Sequence, residues 1–394
     1  MKKIGYVLSG FPVLSETFIG TEMRSMGLLG HEVVPISITR PNSAAQPYDQ
    51  SIASETHYLE NIGRAKAMAS FVRKLSQCAD AVSFARAQKS IPAKSLLLLS
   101  AKIAYIAERT GCNHLHAHFA LHTAAAAITA AKLLKIPVSF VGHGFDIYAT
   151  PADLALKLRA ANFSVAVCKQ MQQDFLRLNH AGTTELVQCG LELHRFPYRA
   201  TQQHNGRLLF IGRLTEKKGL TYLFEALAGL PREARPQLDI VGEGAMKTQL
   251  EQLQLSLNLH ESVAFLGAKD SQWISRYGAS YVALLAPFHE ASNGDRDTGP
   301  LVLKEAMAIG LPVITTAFMG CPDILGSNLQ GNTETGILVP PRNKVALGEA
   351  ILKMMAMSQP QRQKLTESAR ARIENHYSAL HQCKILSGAI ERCI

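Results

Sequence analysis

The sequence predicts an α/β fold made of two parallel-sheet domains. Three observations carry this reading. Short β-rich runs alternate with helical or turn-rich segments along the whole chain, which is the pattern of repeated strand–helix–strand units. The runs form two series, divided by a polar break at 199–206. With 394 residues, 47% hydrophobic and 18% charged, the chain is large and apolar enough to bury two cores.

The first series comprises runs at 4–8, 32–38, 114–118, 138–141, 164–167 and 185–188. The second comprises runs at 208–212, 238–241, 263–266, 282–286, 313–316 and 337–339. Each set reads as one Rossmann-like domain, and a last helix is expected over 378–394, after an aromatic break at His376 and Tyr377. In open parallel sheets ligands bind beyond the carboxyl ends of the strands. The residues that follow each run are therefore where chemistry is expected, and two such domains facing each other line one cleft with those ends.

Composition excludes several classes. The seven cysteines are odd in number, scattered and without a C-x-x-C, so neither a disulfide scaffold nor a zinc knuckle is indicated and a reducing cytoplasm is expected. The basic start is interrupted by glycine, serine, proline and Glu16, so no signal peptide is expected. The apolar stretch at 96–99 is closed by Lys102 and Glu108, short of the ~20 residues a membrane span needs. The net charge is +10, and the segment 61–94 holds Arg64, Lys66, Arg73, Lys74, Arg86, Lys89 and Lys94 against Asp80 alone, a surplus of +6. Met68, Phe71, Val72, Leu75, Ala79 and Val82 follow helical spacing there. Such a segment is either a packed helix with a solvated basic face or a docking surface for anionic membrane. Aromatic residues do not interleave with the cations in the series a stacking platform would need, so nucleic acid is not expected as a partner.

The richest segment is 294–313, GDRDTGPLVLKEAMAIGLPV, which sets Asp297 and Glu305 eight positions apart across an expected helix start. Thr298, Gly299 and Pro300 break the chain after a strand, and Pro300 suits the first helical turn, where its missing N–H costs nothing. The amides opening that helix, near Gly299, Pro300 and Leu301, make a site for phosphate. The segment 208–223, LLFIGRLTEKKGLTYL, supplies cations: a strand ends at Gly212, Arg213 follows, and Lys218 precedes a new helix. An Arg fork and a Lys point charge at a strand exit can grip a diphosphate from two sides. Gly242 and Glu243 sit in a turn after a strand, but Lys247 stands where a dinucleotide fingerprint has its third glycine.

In the first series, VGHGFDIY places His143 and Asp146 at a strand end. Asp146 either orients the imidazole or accepts a proton. His114, His116 and His118 alternate and so share one strand face. That spacing fits metal ligands, yet no carboxylate and histidine set follows in order, so His118 is expected to line the cleft, the other two to pack in the core, and no metal is expected. Asp295-Arg296-Asp297 spells an ion-chelating D-x-D, but it lies beside cations and a helix start. In SGFPVLSETFI, Gly10 permits close backbone approach to a ligand and Ser15 is the expected N-cap. Glu16 and Thr17 either meet an acceptor hydroxyl or, for Glu16, only complement the helix dipole.

These motifs, in this order, resemble retaining GT-B glycosyltransferases of group 1 (family 4 type). Their signature is E-x(7)-E followed by A-M-A-x-G-x-P-V, and the first Glu is Asp297 here. F-P-x-x-S-E-T-F-I resembles the opening of bacterial exopolysaccharide and colanic-acid-type members. The resemblance implies two Rossmann-like domains facing across a cleft: 1–198 on the acceptor side, 199–376 binding the nucleotide sugar, and 377–394 crossing back as a helix. It implies that Arg213 and Lys218 hold the donor diphosphate, Glu305 the ribose and Asp297 the sugar. It places Gly212, Gly242 and Glu243 near the nucleotide, and aims His143 at the transferred hexose. The expected reaction is metal-independent transfer, with retention, from a nucleotide-diphospho-sugar to a hydroxyl of a lipid-linked glycan at the inner membrane face; a UDP-hexose is favoured. The expected partners are that nucleotide sugar, the glycan acceptor and an anionic membrane surface, and no cofactor is expected. A nucleotide-sugar 2-epimerase is the rival of the same fold, and a two-lobed solute-binding protein the rival of another class.

Overall fold

The computed structural model describes residues 1–42, 46–67, 78–179, 182–199, 204–270, 272–327 and 333–393. The chain divides into two compact units, Met1–Gly190 with Ala379–Ile394, and Leu191–Ser378. The C-terminal helix Ala379–Arg392 thus belongs to the first unit, where Lys2 Nζ donates to Cys393 O at 2.9 Å and Gln382 accepts from Gln188 N at 2.7 Å.

The first unit holds a parallel sheet of β1 (Lys3–Gly10), β2 (Glu32–Thr39), β3 (His57–Tyr58), β4 (His114–His118), β5 (Val138–Val141), β6 (Phe163–Ala166) and β7 (Thr184–Leu186). Its order is β3-β2-β1-β4-β5-β6-β7. The second unit holds β8 (Arg207–Ile211), β9 (Gln237–Val241), β10 (Val263–Gly267), β11 (Ala283–Ala286), β12 (Val313–Thr316) and β13 (Ile337–Val339). Its order is β10-β9-β8-β11-β12-β13. In each sheet the order reverses once, between β1 and β4 and between β8 and β11. At such a switch point neighbouring connections run to opposite faces and leave a crevice above the strand ends.

The second sheet is buried on both faces, which explains why its strands read as continuous apolar runs. Leu208, Phe210, Leu238 and Ile240 pack with Phe224, Leu227 and Ile351 on one side. Leu209, Val241, Leu284 and Val313 pack with Leu303, Met307, Ile373 and Tyr377 on the other.

The structure departs from the sequence reading in several places. The two-residue strand β3 was not expected, since two residues carry no period. The first helix is Thr17–Leu28 with Glu16 at the N-cap, so Ser15 lies outside it. Pro300 is likewise the N-cap of Leu301–Ile309 and not in its first turn. Of the basic segment, Met68, Phe71, Val72, Leu75, Arg73 and Lys74 lie outside the described residues. Its described helix, Ala79–Ala87, buries Ala81, Phe84 and Ala85 and exposes Ala79, so the expected stripe is displaced. Among the described residues no helix is long and apolar enough to cross a membrane.

Candidate active site

At the switch point of the second unit three strand exits are tied together. Gly212 N donates to Val241 O, and Gly242 N to Gly267 O, each at 3.0 Å. A Cβ on Gly242 would lie 1.9 Å from Gly212 O, and one on Gly219 1.9 Å from Pro287 O. Both glycines also have positive φ, 146° and 75°, so no other residue fits either place. Arg213 leaves this exit exposed, and its side chain makes no hydrogen bond with the described residues. A short turn, Glu216–Lys218, aims two lysines at the loop after β11. Lys217 Nζ bonds Asp295 at 2.9 Å, and Lys218 Nζ bonds Asp297 Oδ2 at 2.5 Å while lying over the Phe288 ring. Glu216 fastens the same loop by accepting from Ser292 N and Oγ at 2.9 and 2.7 Å.

Each carboxylate of the D-x-D thus already has its own ammonium. Burial works to raise the Asp297 pKa, but Lys218, with Lys217 and Arg213 behind it, holds it below its ordinary value. Thr298 is buried, and the helix Leu301–Ile309 opens behind Gly299 and Pro300 without a side-chain cap. Its first N–H groups are therefore open to an anion. Glu305 stands on that helix and keeps a sliver of surface. Burial pushes its pKa up to about 7, opposed by Arg195 and Lys304. Glu243 is exposed and pairs with Lys247 at 3.0 Å.

The first unit presents a different chemistry at its switch point. Gly10 ends β1 against Pro41, and Glu16 and Thr17 open the helix beyond. His114, His116 and His118 on β4 are fully buried. His114 Nε2 and His116 Nδ1 each meet Ser139 Oγ at 2.8 Å. Glu22 reaches them from the helix Thr17–Leu28. Its Oε1 accepts from Tyr6 OH at 3.1 Å and lies 3.3 Å from His118 Nε2. His116 Nε2 is 3.4 Å from the same oxygen but is not aimed along a hydrogen bond. Burial works to raise the Glu22 pKa, and His118 and His116 hold it far below the usual carboxylate range. Glu22, His116 and His118 offer ligand atoms within 4.8 Å of one another, so this set could hold a metal ion.

His118 Nδ1 meets His143 Nε2 at 3.3 Å, and the His143 ring lies between Phe18 and Phe119, with centroids 4.6 Å from each. Burial lowers the His143 pKa well below its usual value. Asp146 accepts from Ala120 N at 2.7 Å and from His143 N at 3.0 Å. Burial raises its pKa to about 6. It anchors the loop that carries His143, not the imidazole. Beneath it Lys157 donates to Ala120 O and Ala152 O at 2.7 Å, and burial lowers its pKa to about 8.

Residues 199–372 match the family described as glycosyl transferases group 1. The chain is a glycosyltransferase carrying a group 1 domain. It is 26% identical to the amylovoran biosynthesis glycosyltransferase AmsK of Erwinia amylovora, over 99% of both chains. It is 24% identical to the putative colanic acid biosynthesis glycosyltransferase WcaL of Escherichia coli strain K12, over 95% of this chain and 96% of that one. The crystal structure of Anabaena HepE in complex with UDP superposes with a TM-score of 0.70 at 15% identity, covering 99% of this chain and 100% of that one. The two parallel-sheet, Rossmann-like domains are those of a GT-B glycosyltransferase.

Within the glycosyltransferase's second unit, one switch point brings together Gly212, Arg213, Lys218 and Asp297, with Gly242 and Glu243 on the neighbouring strand exit. In the first unit His118 and His143 touch, and Asp146 supports them through the backbone. Three contributors went unread in the sequence: Glu22, Tyr6 and Lys217. Glu22 lies 96 positions from His118, and no local pattern announces their meeting. The carboxylate that partners the H-x-H strand lies upstream of it, on the first helix.

Proposed function

We propose that this glycosyltransferase moves a hexose, with retention and without a metal, from a nucleotide-diphospho-sugar to a hydroxyl of an exopolysaccharide intermediate carried on lipid. One observation carries the reading: Arg213, Lys218 and an uncapped helix start surround a single carboxylate, Asp297, at the switch point of the second unit. An unpaired arginine beside open amides suits the diphosphate. As the anomeric C–O bond breaks, negative charge gathers on the β-phosphate, and Arg213, Lys218 and the amides before Leu301 stabilise it. The acceptor oxygen forms the new bond to the anomeric carbon on the face the phosphate leaves. The acceptor's proton passes to a phosphate oxygen, so no protein nucleophile is needed. Asp297 addresses the sugar hydroxyls, Glu305 the ribose hydroxyls, and His143 the transferred sugar.

The names of AmsK and WcaL support an exopolysaccharide acceptor, and the UDP complex of HepE supports a uridine donor. The basic segment 61–94 supports docking on the anionic inner face of the membrane. The test is turnover of UDP-, GDP- and ADP-hexoses by the whole chain, with and without a lipid-linked oligosaccharide extract. Transfer that needs the acceptor and preserves anomeric configuration is expected. A new sugar nucleotide formed without acceptor, or an inverted product, would overturn the reading.

A further inference from the structure

Glu22 is a carboxylate without a part in the reaction just described, yet Tyr6 and His118 both bond it and His116 lies beside it. Being ionised it can only accept, so Tyr6 O–H and the Nε2–H of His118 both donate to Oε1. A neutral imidazole has one donor and one acceptor nitrogen. Taking His118 as neutral with Nε2 donating, its Nδ1 accepts, and the group facing it at 3.3 Å is His143 Nε2. That nitrogen must then carry the proton of His143. The other branch agrees. If His116 turns Nε2–H toward Glu22, its Nδ1 accepts from Ser139 O–H, and the Ser139 oxygen accepts from His114 Nε2–H. One assignment thus satisfies the Ser139 hydroxyl and every hydrogen bond the four rings make, while His116 Nε2 lies beside Glu22 without bonding it.

We infer that Glu22 and His118 are positioning residues that hold His143 as the Nε2–H tautomer, leaving Nδ1 as the ring atom that accepts a hydrogen bond from a ligand hydroxyl. Among the described residues Nδ1 of His143 has no protein partner, and the ring keeps some exposed surface. The consequence for catalysis rests on the reading of His143 above: the transferred sugar donates a hydroxyl proton to Nδ1. The arrangement is also the opposite of a metal centre. Ligation through Nε2 of His116 and His118 would put both protons on Nδ1, so His118 would donate to His143 Nε2 and drive that ring's proton to Nδ1.

The experiment is long-range 1H–15N NMR of the whole chain labelled at histidine, near pH 7, with resonances assigned from His118→Phe and His143→Phe. His118 and His143 are expected to be neutral with the proton on Nε2. A proton on Nδ1 of His143, or an imidazolium at His118, would overturn the inference. So would equimolar zinc in the purified protein together with Nδ1–H on His116 and His118, which would make the cluster a metal site. Glu22→Gln keeps the shape while removing the charge. It should leave His143 as a mixture of tautomers and lower kcat about tenfold or more, with the donor KM within about twofold. An unchanged His143 spectrum with unchanged kcat would also sink the proposal. The wild-type spectrum is read without turnover, so a chain that transfers no sugar would defeat the functional reading while the tautomers still decided this one.

Discussion

Glu305 offers the sharpest test of the donor site, because its environment makes opposite demands on the empty and the ligand-bound protein. In the unfolded chain the group titrates at about 4.5, and in the folded chain burial moves it to about 7. Below pH 4.5 it is protonated in both states. Between 4.5 and 7 the unfolded chain has lost the proton that the folded chain keeps, so the contribution to stability falls as pH rises and is gone above about 7. The shift amounts to at most about 3 kcal/mol, somewhat less because the side chain keeps some surface. Glu305→Gln should therefore raise the melting temperature of the empty protein at pH 8 and change it little at pH 4.5. A ribose that donates two hydroxyl protons needs the carboxylate ionised. If binding restores an ordinary pKa, the competent fraction climbs from roughly one in eleven at pH 6 to about ten in eleven at pH 8. Calorimetry should then show nucleoside diphosphate affinity rising about tenfold more between pH 6 and 8 in the wild type than in Glu305→Gln; the variant removes the ligand's own titration from the comparison. At pH 8 the variant should bind more weakly by about 1.5–3 kcal/mol, the worth of charge-assisted bonds. Equal pH responses in the two proteins would refute the ribose assignment.

Arg213→Ala and Lys218→Ala should each lower kcat about 10²-fold, as loss of one charge-stabilising donor does, and near-normal steady-state turnover would contradict the diphosphate grip. They should differ in stability: the Arg213 side chain is exposed and makes no hydrogen bond with the described residues, so its variant should keep the wild-type melting temperature, whereas Lys218→Ala strands Asp297 and should melt lower unless combined with Asp297→Asn. Turnover should survive EDTA, because Lys217 and Lys218 already neutralise Asp295 and Asp297; activity lost in chelator and regained with Mn²⁺ or Mg²⁺ would restore the D-x-D or the Glu22 cluster as a metal site. In co-sedimentation the chain should pellet with anionic but not zwitterionic vesicles, increasingly less as salt rises. Exposed Arg64→Glu with Lys66→Glu, which takes the segment from +6 to +2, should release it, each basic residue being worth about 1 kcal/mol at such a surface.

What the sequence made legible follows the range over which each signal acts. Of the thirteen strands among the described residues, twelve were readable because a run of buried β-formers is a local property, and their parallel pairing followed from the helices between them. Strand order is not local. Nothing in the runs at 208–212 and 282–286 says that β8 and β11 are neighbours, yet that adjacency carries the loop holding Asp297 to the turn holding Lys218, 79 positions away. The resemblance could assign Lys218 to the diphosphate and Asp297 to the sugar without disclosing that they neutralise each other. The first unit repeats the point. The H-x-H face of β4 was visible from alternation alone, but its meaning turned on Glu22, which the β1–β4 adjacency and the helix after β1 bring beneath it. Where the resemblance supplied a role, it did so for single residues; the pairings that set their charge and protonation had to come from the fold. The consequence is physical. A Lys218 already bonded to Asp297 meets the diphosphate as a shared cation, so the phosphate grip at this switch point depends on Arg213 and the helix amides more than the motif G-R-L-x-x-x-K-G alone would suggest.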